Sequence, residues 1–161
     1  MFREMRRSKQ LLNTDYAKSM LNKATSGVLA VHGDDDYPYA VPLSYVYHDD
    51  KLYFHGATSG HKLDAIRKND KVSFCVILQD KPVGDGFTTY YMSVIAFGRA
   101  KIIDDAEEKR RTMQILNDRY FPELKTETSE EVNRSIERFL MIEMEIEHIT
   151  GKQAIELLEN S

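Results

Sequence analysis

The chain has 161 residues, with 22 Lys plus Arg against 26 Asp plus Glu, a formal charge of -4 and a mean hydropathy of -0.49. This length suits one domain, residues 1–161, burying ~70% of its unfolded surface, and the scattered basic residues argue against nucleic acid as a partner. Cys75 is the one cysteine, no run approaches the ~18 apolar residues of a membrane span, and no apolar signal segment follows the basic start, so a soluble, cytoplasmic protein without disulfides or membrane contact is expected.

Residues 13–23 carry Tyr16, Met20 and Leu21 at helical spacing, with Asn13 or Thr14 as the N-cap and Asp15 near the positive end. Residues 26–31 and 39–47 read as two strands of a hairpin, separated by Gly33 and the run Asp34, Asp35, Asp36. A turn at residues 48–51 leads into a third strand, residues 52–55, which Gly56 and Gly60 interrupt. Leu63 and Ile66 predict a short helix over residues 61–68, followed by a strand over residues 71–78 in which Cys75 is expected to be buried. Pro82, Gly84 and Gly86 mark residues 79–87 as an exposed connection, and residues 88–103 form the longest predicted strand, with Gly98 as a bulge or bend. Helices are predicted over residues 104–117, opened by Asp104 with Glu107, and residues 129–139, capped by Ser129. In residues 140–149, Leu140, Ile142, Met144, Ile146 and His148 alternate with Glu143, Glu145 and Glu147, predicting a half-solvated edge strand, and residues 152–158 suit a short helix.

About six strands joined mostly by tight turns, with three or four helices between them, predict an α+β fold: an antiparallel six-stranded split barrel with peripheral helices.

The window from Tyr39 to Phe74 holds the most informative pattern. A strand delivers Gly56, Ala57, Thr58, Ser59 and Gly60 to a helix that begins with His61 and Lys62. Helix N-termini present unpaired N–H groups and a favourable dipole to an anion, so a phosphate could dock with Lys62 as its point charge. An ordinary solvated loop has the same composition, and the local residues leave both readings open.

The order VPL, hairpin, LYFHGA, GHKL, IRKNDKVSF resembles the FMN-binding half of the pyridoxamine 5′-phosphate oxidase-like split barrel, over roughly residues 26–101. That resemblance implies a flavoprotein in which Val41, Pro42, Leu43 and Ser44 line the flavin ring, His55, Gly56 and Ala57 continue the cradle, and His61 and Lys62 hold the FMN phosphate. The oxidases carry arginine where this chain has His61. The stretch SVIAFGRA is similar to a strand that reaches the flavin from the partner subunit, which implies a homodimer with interfacial flavin sites and adds Ser93 to the cofactor residues. The oxidases also carry an arginine and a lysine on the strand that here contains Ala40 and Tyr45, and their Arg-rich C-terminal motif has no counterpart in ITGKQAIELLENS, so pyridoxine phosphate oxidation is not implied. HGA, GHKL and HITGK look like the nitroimidazole-resistance branch.

The expected function is therefore reduction of a small acceptor by FMN, with FAD as the other flavin a phosphate loop would accept. Nitro compounds are one acceptor class and a nicotinamide or other small donor is the reductant. The alternatives are a non-catalytic flavin-binding or flavin-sensing protein, and a member of the same fold that binds haem or a deazaflavin. Catalytic residues are not assigned, because the flavin would carry the chemistry. His55 is favoured as a site residue, His32 and His48 are explained by turn polarity, and His148 precedes Lys152, which either nears the flavin or serves as a C-terminal cap. No His, Cys, Asp or Glu spacing resembles a zinc site.

Overall fold

The computed structural model describes residues 1–158; residues 159–161, the end of the C-terminal segment, lie outside the described residues. In chain order the elements are β1 (Leu11–Leu12), α1 (Thr14–Leu21), β2 (Ser26–His32), β3 (Pro38–Ser44), β4 (Val46–His48), β5 (Lys51–Gly56), α2 (His61–Lys68), β6 (Lys71–Val83), β7 (Thr88–Ile103), α3 (Ala106–Tyr120), α4 (Lys125–Ser135) and β8 (Leu140–Gln153). The eight strands form one antiparallel sheet in the order β3-β2-β6-β7-β8-β5-β4, with β1 added on β8.

β3 and β4 stand at opposite ends of this path although only Tyr45 separates them in the chain, so the backbone itself closes the sheet into a barrel. Tyr45 is 1% exposed, its ring meets Phe74 edge-on at 4.9 Å, and its hydroxyl donates to the Leu21 carbonyl at 2.6 Å. Burial pushes its phenol well above the ordinary tyrosine range, with the neighbouring Tyr120 adding to the shift. The barrel core is built from alternate, inward side chains of neighbouring strands, including Leu29, Phe54, Phe74, Val76, Val94, Ile142 and Met144. Outside the barrel, Leu116 of α3 and Val132 of α4 pack with Val46, Tyr53, Ile103, Phe139 and Met141 in a second apolar cluster.

The fold class agrees with the expectation, and the eight strands differ from six for a local reason. Residues 39–47 divide at Tyr45 into β3 and β4, and the two-residue β1 pairs with Lys152 and Gly151 of β8. The connection predicted at residues 79–87 shortens to a turn after Val83, because β6 and β7 continue as a paired ribbon past Pro82. Asn13 caps α1, accepting from Tyr16 N at 2.7 Å, and Asp105, one residue beyond the predicted Asp104, caps α3 through Glu108 N at 2.9 Å. α4 begins at Lys125 rather than at Ser129, and a 3-10 turn at Ile136–Arg138 replaces its predicted last turn.

β8 is the largest correction. It lies between β7 and β5 rather than at an edge, and Glu143 is 4% exposed. A register shift between Phe97 and Gly98 pairs Phe97 with His148 and Gly98 with Ile146, which turns His148 onto the outer face with Phe97. The irregularity expected at Gly98 is a bulge whose extra residue is Glu147 of β8, and a Cβ on Gly98 would fall on the Glu145 carbonyl oxygen. Gln153 completes β8, and among the described residues the C-terminal segment beyond it forms a 3-10 turn, Ile155–Leu157.

Candidate functional site

β5 ends at Gly56 and an exposed loop leads to Gly60, whose φ of 138° and ψ of 164° favour glycine. Gly60 O accepts from Leu63 N at 3.0 Å and Asp64 N at 3.2 Å, but no side chain caps α2. The helix start is held in place by Leu63, Ala65 and Ile66, which are buried in the barrel core. Lys62 lies back over the end of β5: a Cβ on Gly56 would stand 3.2 Å from its Cε and 3.4 Å from its Nζ. Asp64 is bound to Arg67 at 3.1 Å and Lys68 to Asp34 at 3.0 Å, which leaves Lys62 without an ion pair among the described residues. An uncapped helix N-terminus beside an unpaired ammonium, with a glycine in the backbone below it, fits a phosphate group.

His61 is held elsewhere. Its ring stacks on Tyr39 with centroids 4.2 Å apart, and its Nε2 accepts from Asp34 N at 3.3 Å and lies 3.6 Å from the Asp34 carboxylate. The Lys68 hydrogen bond and charge hold the Asp34 carboxyl below its ordinary range. The acidic run that reads in sequence as a polar turn is thus the anchor for both ends of α2. Nothing local in the sequence signals this, since Asp34 and His61 are 27 residues apart.

In β3, Val41 and Leu43 pack against the barrel core, whereas Pro42 and Ser44 are exposed. β3 ends the sheet path, so one edge of its backbone has no strand partner among the described residues and can offer N–H and C=O groups to a flat ligand. His55 and Ala57 are exposed on either side of Gly56, with His55 registered against Met141 of β8. Ser93 lies on β7, registered with Ile77 and Lys152, and β2 and β6 separate β7 from β3 in the sheet. One chain therefore gathers Gly56 and Lys62, with β3 at the free edge, and leaves Ser93 apart.

Ser93 belongs to an outer face whose cross-strand rows run Val28, Cys75, Ile95, Thr150 and Ala30, Ser73, Phe97, His148. Val28, Ile77, Ile95 and Phe97 are 37%, 66%, 37% and 38% exposed, and α3 packs on β4, β5 and β8 instead. Phe2 stacks on His148 at 4.5 Å, and Lys152 Nζ lies 5.2 Å over the Tyr91 ring. Cys75 is half-buried on this face rather than sealed in the core, and desolvation raises its thiol pKa. Two clefts open nearby: one of ≈ 320 Å³ lined by His32, Lys71, Ser73 and Phe97 among others, and one of ≈ 470 Å³ between α1 and the bulged part of β6. Among the described residues no helix is long and apolar enough to cross a membrane, and no group of three His, Cys, Asp or Glu is placed to hold a metal ion.

Residues 13–153 match the family model described as pyridoxamine 5′-phosphate oxidase. No functionally curated protein matches the chain in sequence. Among solved structures, a protein of Bacteroides thetaiotaomicron provisionally assigned to 5-nitroimidazole antibiotic resistance is 21% identical, over 89% of this chain and 86% of that one, with a TM-score of 0.77. An FAD- and haem-binding protein of Mycobacterium smegmatis is 21% identical over 91% and 74%, with a TM-score of 0.78. An FAD-binding protein of Mesorhizobium loti is 25% identical over 90% and 97%, with a TM-score of 0.65.

Proposed function

The chain belongs to the pyridoxamine 5′-phosphate oxidase family, and on that premise we propose that it is a cytoplasmic FMN-binding oxidoreductase that reduces a small electron acceptor. The observation that carries this reading is the approach of Lys62 to Gly56 at the uncapped start of α2. Lys62 and the first N–H groups of α2 bind the phosphate, Gly56 leaves room for the lysine stem, and the free edge of β3 around Val41, Pro42, Leu43 and Ser44 positions the ring, with His55 and Ala57 at its rim. A flavin held there by Lys62, the α2 N–H groups and the β3 edge would supply two-electron transfer between a reduced nicotinamide or similar donor and the acceptor. His61 fixes the start of α2 through Tyr39 and Asp34.

The active unit in this reading is a homodimer. The uncovered face around Val28, Ile77, Ile95 and Phe97 is the apolar patch a second copy would cover, and Ser93 on that face would reach the partner's flavin. FAD shares the phosphate chemistry and is the second flavin, and nitro compounds are one acceptor class for screening.

The deciding experiment is the visible spectrum of the purified protein, with chromatography of whatever is released on denaturation. A two-band flavin spectrum with FMN released supports the proposal; a Soret band would move the barrel to haem. A colourless protein that fails to bind added FMN or FAD would refute it. Flavin that no donor reduces would leave a binding or sensing protein in place of an enzyme.

A further inference from the structure

The ≈ 470 Å³ cleft between α1 and β6 is lined by Tyr16, Met20, Lys23, Ala24, Thr25, Ser26, Ile77, Leu78, Gln79 and Met92. It lies at the register shift between Ile77 and Gln79, where Leu78 has no partner on β7. Met20 is buried in the barrel core and Ala24, Leu78 and Met92 pack against it, giving the cleft an apolar floor of adaptable side chains. At the mouth Tyr16 is 39% exposed, and Ile77, 66% exposed in the single chain, stands where the cleft borders the face assigned to the second copy. The lining holds one cation, Lys23, and no carboxylate. Lys23 has no ion pair among the described residues, whereas Lys18, five residues earlier, is tied to Asp50 at 2.7 Å.

The position of the cleft matters as much as its lining. Ser26 in its wall is the cross-strand partner of Ser44, the last residue of β3, so the cleft opens one strand away from the edge assigned to the flavin ring.

We propose that this cleft binds the reaction's small substrate, and that the substrate is a compact aromatic or apolar acid whose carboxylate meets Lys23. This rests on the flavin reading for its role, but the binding event stands on the cleft alone. An apolar floor rewards a flat hydrocarbon body, and a single unopposed ammonium at the rim selects an anion over a neutral molecule of the same shape.

The test uses the full-length protein with ¹³C-methyl-labelled methionine, titrated with benzoate and, in parallel, with neutral benzyl alcohol, in both FMN-loaded and flavin-free samples. Met20 and Met92 sit in the cleft, so their methyl resonances are expected to move saturably with benzoate, while those of Met141 and Met144 in the cores stay still. Lys23→Gln is expected to weaken benzoate about three- to tenfold and leave benzyl alcohol unchanged, and Lys23→Arg to restore benzoate. Absence of saturable shifts at Met20 and Met92, or equal weakening of the acid and the alcohol, overturns the proposal. If flavin binding fails altogether, benzoate shifts that persist in the flavin-free sample still uphold the cleft, so the two readings fail separately.

Discussion

A Cβ built on Gly56 stands 3.2 Å from the Cε of Lys62 and 3.4 Å from its Nζ, so the end of β5 and the first turn of α2 meet through one flexible side chain. If this contact carries the phosphate, Lys62→Gln should weaken FMN about 10- to 100-fold by fluorescence titration, the range of one charge-assisted hydrogen bond. Riboflavin lacks the phosphate and should bind both proteins equally. Gly56→Ala only displaces the lysine end by a few tenths of an ångström, and its effect should stay below about tenfold. Equal losses for FMN and riboflavin would contradict the phosphate assignment.

His61 offers the complementary test. Because its ring stacks on Tyr39 and its Nε2 is engaged with Asp34, His61→Phe should keep the stack and cost no more than about 1 kcal/mol of stability in urea unfolding. FMN affinity should stay within about twofold of the parent. A loss as large as that of Lys62→Gln would mean that His61 leaves Asp34 and turns to the phosphate.

Glu143 should make the fold acid-sensitive. The residue is 4% exposed, and although burial by itself raises its pKa, hydrogen bonds from Lys51 at 2.9 Å and Lys101 at 3.0 Å bring it below the ordinary glutamate value. A carboxyl with a depressed folded-state pKa contributes stability above its unfolded pKa, and that contribution disappears as pH falls through the folded value. Between about pH 6 and about pH 3 the parent should therefore lose more stability than Glu143→Gln does. At neutral pH the variant should be about 1–2 kcal/mol less stable, a modest cost because both lysines can return to water. Parallel losses with pH in the two proteins would remove Glu143 as the cause.

Tyr120 ties α3 to the barrel. Its hydroxyl lies 2.9 Å from the Thr25 carbonyl oxygen and 2.5 Å from that of Tyr45, and the Arg119 guanidinium donates to the Asn22 carbonyl. Tyr120→Phe should lower stability by about 1 kcal/mol and move the Tm down by about 2–4 °C. An unchanged Tm would show that these carbonyls are served equally well by water.

The outer face decides assembly. Ile95, registered between Cys75 and Thr150, is 37% exposed near the middle of the apolar rows. Ile95→Glu should shift a dimer to a monomer in sedimentation and lower flavin content with it, while far-UV circular dichroism stays unchanged. A variant that remains dimeric and keeps its flavin would place the interface elsewhere.

The sequence by itself determined most elements, because their signals are local. β-rich runs bounded by glycines and turn residues marked β2, β5 and β7, Gly60 and the apolar pair Leu63 and Ile66 marked the loop and α2, and Gly98 marked the bulge. The motif from Tyr39 to Phe74 determined the family, which the match over residues 13–153 shows. Only the tertiary structure decided what depends on non-local register. Tyr45 divides one predicted strand into the two ends of the sheet path because it must bury its ring on Phe74 and bond to Leu21. β8 is interior because β7 pairs along one of its edges and β5 along the other, while α3 and α4 cover Met141 on its Glu143 side. His148 changes faces because one extra residue at the bulge reverses the alternation beyond it. His61 binds Asp34, and Lys23 joins Met92 in a cleft, because strand pairing brings distant segments together, which no periodicity in the chain encodes.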